Sequence, residues 1–142
     1  MSDDAFHQRL HHIVPAGMTA DTAQTPGMVR RAAISGVTVG SERLWMGTAE
    51  VGAGVVSAAH HHGESETAIY VVSGNPRFVF IDPDTGAETR IDARPGEFVF
   101  VPPYVPHREE NPDPDGVAIV VVARSTQEAI VVNLPGLGSA AR

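Results

Sequence analysis

The chain has 142 residues, with ten arginines, no lysine, seventeen acidic residues and a net charge of −7. That length predicts one domain with a single sizeable core, and an acidic chain with no basic run longer than Arg30-Arg31 argues against nucleic acid and anionic membranes as partners. With no cysteine, disulfides, iron–sulfur clusters and thiolate zinc sites are excluded, so any metal must be held by His, Asp or Glu.

The chain starts with the polar stretch "MSDDAFHQRLHH", which carries acids where a signal peptide carries basic residues. No apolar run approaches the roughly 18 residues of a membrane span. A cytoplasmic location is therefore expected. Residues 4–14 are predicted as a short helix, and "PAGMTADTAQTPGM" as extended loop because of its Pro and Gly. Residues 1–33 are thus expected to form an irregular or helical N-terminal arm. His7 and His11, four apart, read as one face of a surface helix.

From residue 34 to 134, short β-rich runs recur between turn residues: "AISGVTV", "RLWMGTAEV", "GVVSAA", "AIYVVSG", "RFVFI", "ETRID", "EFVFV", "VAIVVVAR" and "EAIVVNL". "DPDTGAE" reads as a hairpin turn. This pattern predicts an all-β sandwich or barrel. Residues 135–142, "PGLGSAAR", are expected to be a loose tail.

Strand alternation assigns faces. With Arg77 outward, Phe78 and Phe80 point in; with Glu97 outward, Phe98 and Phe100 point in. Leu44 and Met46 share one face and Trp45 takes the other. Met46, Phe78, Phe80, Phe98 and Phe100 are the predicted pocket lining. The strands that can be read this way show no inward Lys or Arg. That argues against sugar phosphates and fits a phenol, a diketone or a polyketide chain.

"AAHHHGESETAIYVVSGN" supplies the chemistry. On a strand, His60 and His62 point one way and His61 the other, so two imidazoles face one centre. Gly54 precedes His60 by six residues, Glu66 follows, and Gly74 closes the segment. A second block orders Gly96, Pro102, Pro106, His107 and Asn111.

In these two blocks, 21 residues apart, the chain resembles the cupin superfamily. The first family motif runs Gly, His-x-His, Glu, Gly; the second runs Gly, Pro-x-Gly, His, Asn. This sequence has Gly54, His60, His62, Glu66 and Gly74, then Gly96, Pro102, His107 and Asn111, with Tyr104 in place of the second motif's inner Gly. The resemblance covers about residues 40–125. It implies a jelly-roll β-barrel in which both motifs converge on one divalent transition metal (Fe, Zn, Mn or Ni), with His60, His62, Glu66 and His107 as ligands. It also implies a homodimer.

Glu66 has two possible registers. Counted from His62, it stands where the family ligand stands. Counted back from Gly74, that position is Thr67 and Glu66 faces out. A bulge would reconcile the counts. The alternative is a three-His site with Glu66 nearby as a catalytic base.

The expected function is that of a metal-dependent enzyme acting on a small apolar or aromatic carbonyl or phenol substrate. Dioxygenase chemistry stands slightly ahead on family frequency. A polyketide cyclase or isomerase using the metal as a Lewis acid is the first alternative. A non-enzymatic ligand sensor or binding protein is the second.

Overall fold

The structure is a computed structural model that describes residues 8–127 and 129–138. Its strands are β1 (Met28–Ile34), β2 (Trp45–Val51), β3 (His60–His61), β4 (Thr67–Ser73), β5 (Arg77–Ile81), β6 (Glu88–Asp92), β7 (Phe98–Val101), β8 (Arg108–Glu110), β9 (Ala118–Arg124) and β10 (Val132–Asn133). They form a jelly-roll sandwich of antiparallel sheets. One sheet has the order β1-β2-β9-β4-β7. Facing it are β6-β5-β8 and the pair β10-β3, joined by the bridge between His60 and His107. No helix among the described residues is long and apolar enough to cross a membrane.

The core follows alternation along the long strands. Trp45, Ala49 and Val51 of β2, Ile69 and Val71 of β4, and Ala118, Val120 and Val122 of β9 are all buried on the inner face. Register enforces this, since Ala49 lies opposite Val120 and Ile69 opposite Val122. Phe78 is the buried aromatic contributed by the facing sheet.

Two turn positions account for parts of the sequence pattern. Gly74 closes β4 with φ +80°, and a Cβ there would lie 2.8 Å from the Ala118 Cα, so both conformation and space require glycine. Tyr104, where the family has glycine, keeps the left-handed backbone (φ 65°) and donates its N–H to the Gly63 carbonyl at 2.9 Å. Holding a non-glycine residue there costs about 1 kcal/mol.

Several expectations need correction. All of β1 except Ile34 lies within the stretch assigned to the arm. It pairs along β2 and buries Met28, Arg30 and Ala32. Residues 36–39 of the expected strand "AISGVTV" form one helical turn, α1 (Gly36–Val39), because Ser35 and Thr38 make a reciprocal capping box. The expected helix over 4–14 is absent from residues 10–14, which have no regular structure, and residues 1–7, including His7, lie outside the described residues. Leu137, in the tail expected to be loose, is buried against Ala59 and Val79.

Phe98 and Met46 fall outside the predicted pocket, whereas Phe100 lies on the outer face of β7 and still borders the cleft between the sheets. Phe98 and Phe100 point away from the core, 75% and 60% exposed. Val99 and Val101 point in, opposite Ile69 and Thr67. Glu97 belongs to the preceding turn, where its Oε1 accepts from the Arg94 N–H, so its exposure does not set the phase of β7. A one-residue slip of origin turns every side chain over. Met46 is likewise on the outer face, because Trp45 is the inward residue.

Candidate metal centre

His60 lies on β3 and His62 directly after it, both in the first motif, and His107 of the second motif immediately precedes β8. The backbones of His60 and His107 exchange two N–H···O=C bonds of 2.9 Å. This bridge brings the two motifs together. One ligand atom from each of His60, His62 and His107 lies within 4.8 Å of the others, and all three residues are buried. The ring centroids are 4.4 to 5.1 Å apart.

The tautomers are set by the backbone. Nδ1 of His60 donates to the Ala58 carbonyl at 2.9 Å, that of His62 to Ile130 at 2.9 Å and that of His107 to Val105 at 3.0 Å. Each Nε2 is therefore left with a lone pair facing the others. Nε2 of His107 has no hydrogen-bond partner although it is buried. Three converging lone pairs, one of them orphaned, fit a divalent metal.

Burial holds the three rings neutral. It pushes His60 down to about 2 and His107 down to about 4, with neighbouring His and Arg charges adding to the effect on His60. His62 is lowered further, first by burial and then by Arg124. The unfolded chain takes up protons on these histidines below about pH 6.5, whereas the folded chain does not. Stability of the chelator-treated protein should therefore fall as pH drops below about 6.5, by up to about 1.4 kcal/mol per pH unit per histidine. Glu109, raised by burial, acts in the opposite sense, but it is one group against three. A melting temperature that stays level from pH 7 to 5 would contradict neutral buried rings.

Glu66 does not join the histidines. It is exposed, and Thr67 takes the inward position opposite Val101 and Arg124. β4 runs without a bulge between Thr67 and Val71; its one irregularity falls between Val71 and Ser73, too late to rotate Glu66 inward. The count from Gly74 is therefore the one the fold follows. His61 lies outside the cluster, and its Nδ1 accepts from the Gly63 N–H at 2.9 Å. Asn111 is structural: its Nδ2 donates to the Val51 and Gly116 carbonyls.

The carboxylate that does reach the site is Glu109, whose Oε2 lies 3.8 Å from His60 Nε2. It is 3% exposed. Two arginines accompany it, contrary to the expectation that none faces in. Arg30 donates from Nη2 to His60 Nε2 at 3.3 Å and from Nη1 to Thr25 Oγ1 at 2.8 Å. Arg124 stacks over Trp45, with its Cζ 4.7 Å from the ring centroid. A sequence signal for Glu109 existed, since it stands two residues after His107 and shares its face. For the arginines the signal was weaker: Arg30 fell inside the presumed arm and Arg124 at a strand's end.

The apolar part of the site is a cleft of about 400 Å³ between the sheets. Phe78, Phe80, Ile91, Val99 and Val101 are among its walls, and His107 borders it. Phe100 also borders it from the edge strand, whereas Phe98 packs outside against Tyr70 with ring centroids 4.9 Å apart.

Fold and site together define a β-sandwich with three buried histidines contributed by two separate segments. The family model of the cupin domain matches residues 47–123, and the chain belongs to that family. The structure is similar to the polyketide cyclase RemF from Streptomyces resistomycificus, at 23% identity and a TM-score of 0.66, over 89% of this chain and 86% of that one. It is similar to the Bacillus subtilis oxalate decarboxylase with Mn(II) centres, at 19% identity and a TM-score of 0.68, over 80% of this chain but only 29% of that longer one. It is also similar to peruvianin-I, a cysteine peptidase from Thevetia peruviana latex, at 13% identity and a TM-score of 0.69, over 84% and 73%. Comparison with curated protein sequences returns no match. Neighbours this diverse establish the fold and leave the reaction to be argued from the site.

Proposed function

We propose that this protein is a metal-dependent enzyme that cyclises or isomerises a small apolar or aromatic carbonyl compound without redox change. The observation that carries this reading is the apolar cleft of about 400 Å³ bordered by His107, one of the three clustered histidines. A substrate body held there brings its functional group to the buried imidazoles, and the cleft walls limit the water around it.

His60, His62 and His107 are the residues that would hold the metal, through Nε2. A divalent metal in that position would polarise a carbonyl or enol oxygen as a Lewis acid. The donor set favours this over the dioxygenase expectation. Non-haem iron oxygenases of the facial-triad class use two histidines and a carboxylate as ligands, whereas the cluster here is three histidines, with Glu66 exposed and Glu109 outside the cluster among Arg30 and Arg124. Glu109 is the buried carboxyl available to hold or release a proton at Oε2, since burial raises it from its ordinary value. The likeness to RemF, whose described activity is polyketide cyclisation, agrees with this reading.

The test starts from protein purified without added metal. Metal analysis comes first, followed by incubation with poly-β-ketone and diketone substrates in an oxygen electrode. The expected product is either isomeric with the substrate or lighter by one water, with no oxygen consumed. Oxygen uptake stoichiometric with substrate would replace this proposal with a dioxygenase. Tight binding with the substrate recovered unchanged would replace it with a binding protein.

A further inference from the structure

The inner end of the barrel contains a second, polar cavity. It is small, about 10 Å³, and its lining includes Arg30, His62, Thr67, His107, Glu109 and Arg124. That is room for roughly one water-sized group. The two arginines are almost fully enclosed, 1% and 2% exposed. Their donors are not used up. Arg30 Nε, Arg124 Nε and Arg124 Nη1 are buried with no hydrogen-bond partner, and so is Thr67 Oγ1. Thr67 lies directly across from Arg124 in the β4–β9 register, so these orphaned groups share one inner face.

The charges do not balance either. Two guanidinium groups face one carboxylate, Glu109, which is the acidic side chain lining this cavity among the described residues. A protein interior seldom leaves a cation and several donors uncompensated. A guanidinium N–H gives a carboxylate oxygen a short, charge-assisted hydrogen bond. Arg124 is held ready for such a partner by its stacking on Trp45.

His107 belongs to the walls of both this cavity and the apolar cleft. The geometry points to a substrate with a carboxylate on an apolar, aromatic-sized body: the body in the cleft between the sheets, and one carboxylate oxygen reaching past His107 into the small cavity toward Arg124, Arg30 and Thr67. This names the substrate class for the enzyme proposed above and rests on reading the barrel interior as its substrate site.

Calorimetric titration of the full chain tests it, in chelator-treated and in zinc-loaded form, with 2-naphthoate, its neutral counterpart 2-naphthamide, and acetate. Naphthoate should bind at least tenfold tighter than either of the others in both forms. Arg124→Met keeps an apolar contact with Trp45 and should lower naphthoate affinity at least tenfold while leaving naphthamide unchanged, with circular dichroism checking the fold. Should that variant not fold, Arg30→Met reads the same loss, and the acid–amide comparison in the unmodified protein stands by itself. Equal affinity for acid and amide overturns the proposal, as does acetate binding as tightly as naphthoate. A carboxylate preference seen only with zinc assigns the anion to the metal and overturns the arginine site, leaving the metal centre intact. The preference in a protein that retains no zinc supports the arginine site and counts against the metal reading instead.

Discussion

Replacing His107 with alanine is expected to remove bound metal while leaving the fold in place. Its Nε2 is one of three converging lone pairs and is buried without a hydrogen-bond partner. Partners of metal ligands are themselves worth about 10–100-fold in affinity, so losing a ligand outright should cost more than about 100-fold. The fold should survive, because the two hydrogen bonds joining His60 and His107 run through the backbone and do not need the imidazole. Metal content measured after dialysis, beside a far-ultraviolet circular dichroism spectrum, separates the two effects. A variant that retains a full equivalent of metal would mean that the two motifs do not share a centre.

The second large effect is expected at Glu109. Glu109→Gln removes the carboxylate that faces Arg30 and Arg124 and leaves two buried cations uncompensated. Their interaction is through space, so a loss of stability on the order of 3 kcal/mol is expected, the lower end of what breaking a buried ion pair costs. Adding Arg124→Met to Glu109→Gln should restore much of it, since one cation then leaves with its counter-charge. Glu66→Gln is the contrast: an exposed carboxylate should change stability by less than about 0.5 kcal/mol and leave metal content unaltered. Chemical denaturation of the four proteins, with metal analysis of each, checks all of this. If Glu66→Gln depleted the metal and Glu109→Gln were silent, the roles assigned here to the two carboxylates would have to be exchanged.

Most of the architecture could be read without coordinates. Short runs of Val, Ile, Phe and Tyr between Gly, Pro and Asp announced a sandwich, and the two histidine blocks announced which segments would converge. The phase of single strands was the weak point. β7 was read from Glu97, a turn residue, and came out inverted. In β4 two counts compete, one from His62 that carries Glu66 inward and one from Gly74 that carries Thr67 inward, and the fold follows the second. In both strands the difference is one residue.

Periodicity and local geometry are legible in the residues alone. Alternation puts His60 and His62 on one side of the chain, and glycine is placed where the backbone at Gly74 must turn left-handed against Ala118. The origin of each alternation was decided only by the tertiary structure. A two-residue period is unchanged in form when shifted by one, and only a cross-strand partner such as Val101 opposite Thr67, or Arg124 opposite Trp45, selects the face. The charged interior was decided in the same way. Arginine on a strand is by default a surface residue, and Arg30 and Arg124 become site residues because closing the two sheets leaves their face no exit to water.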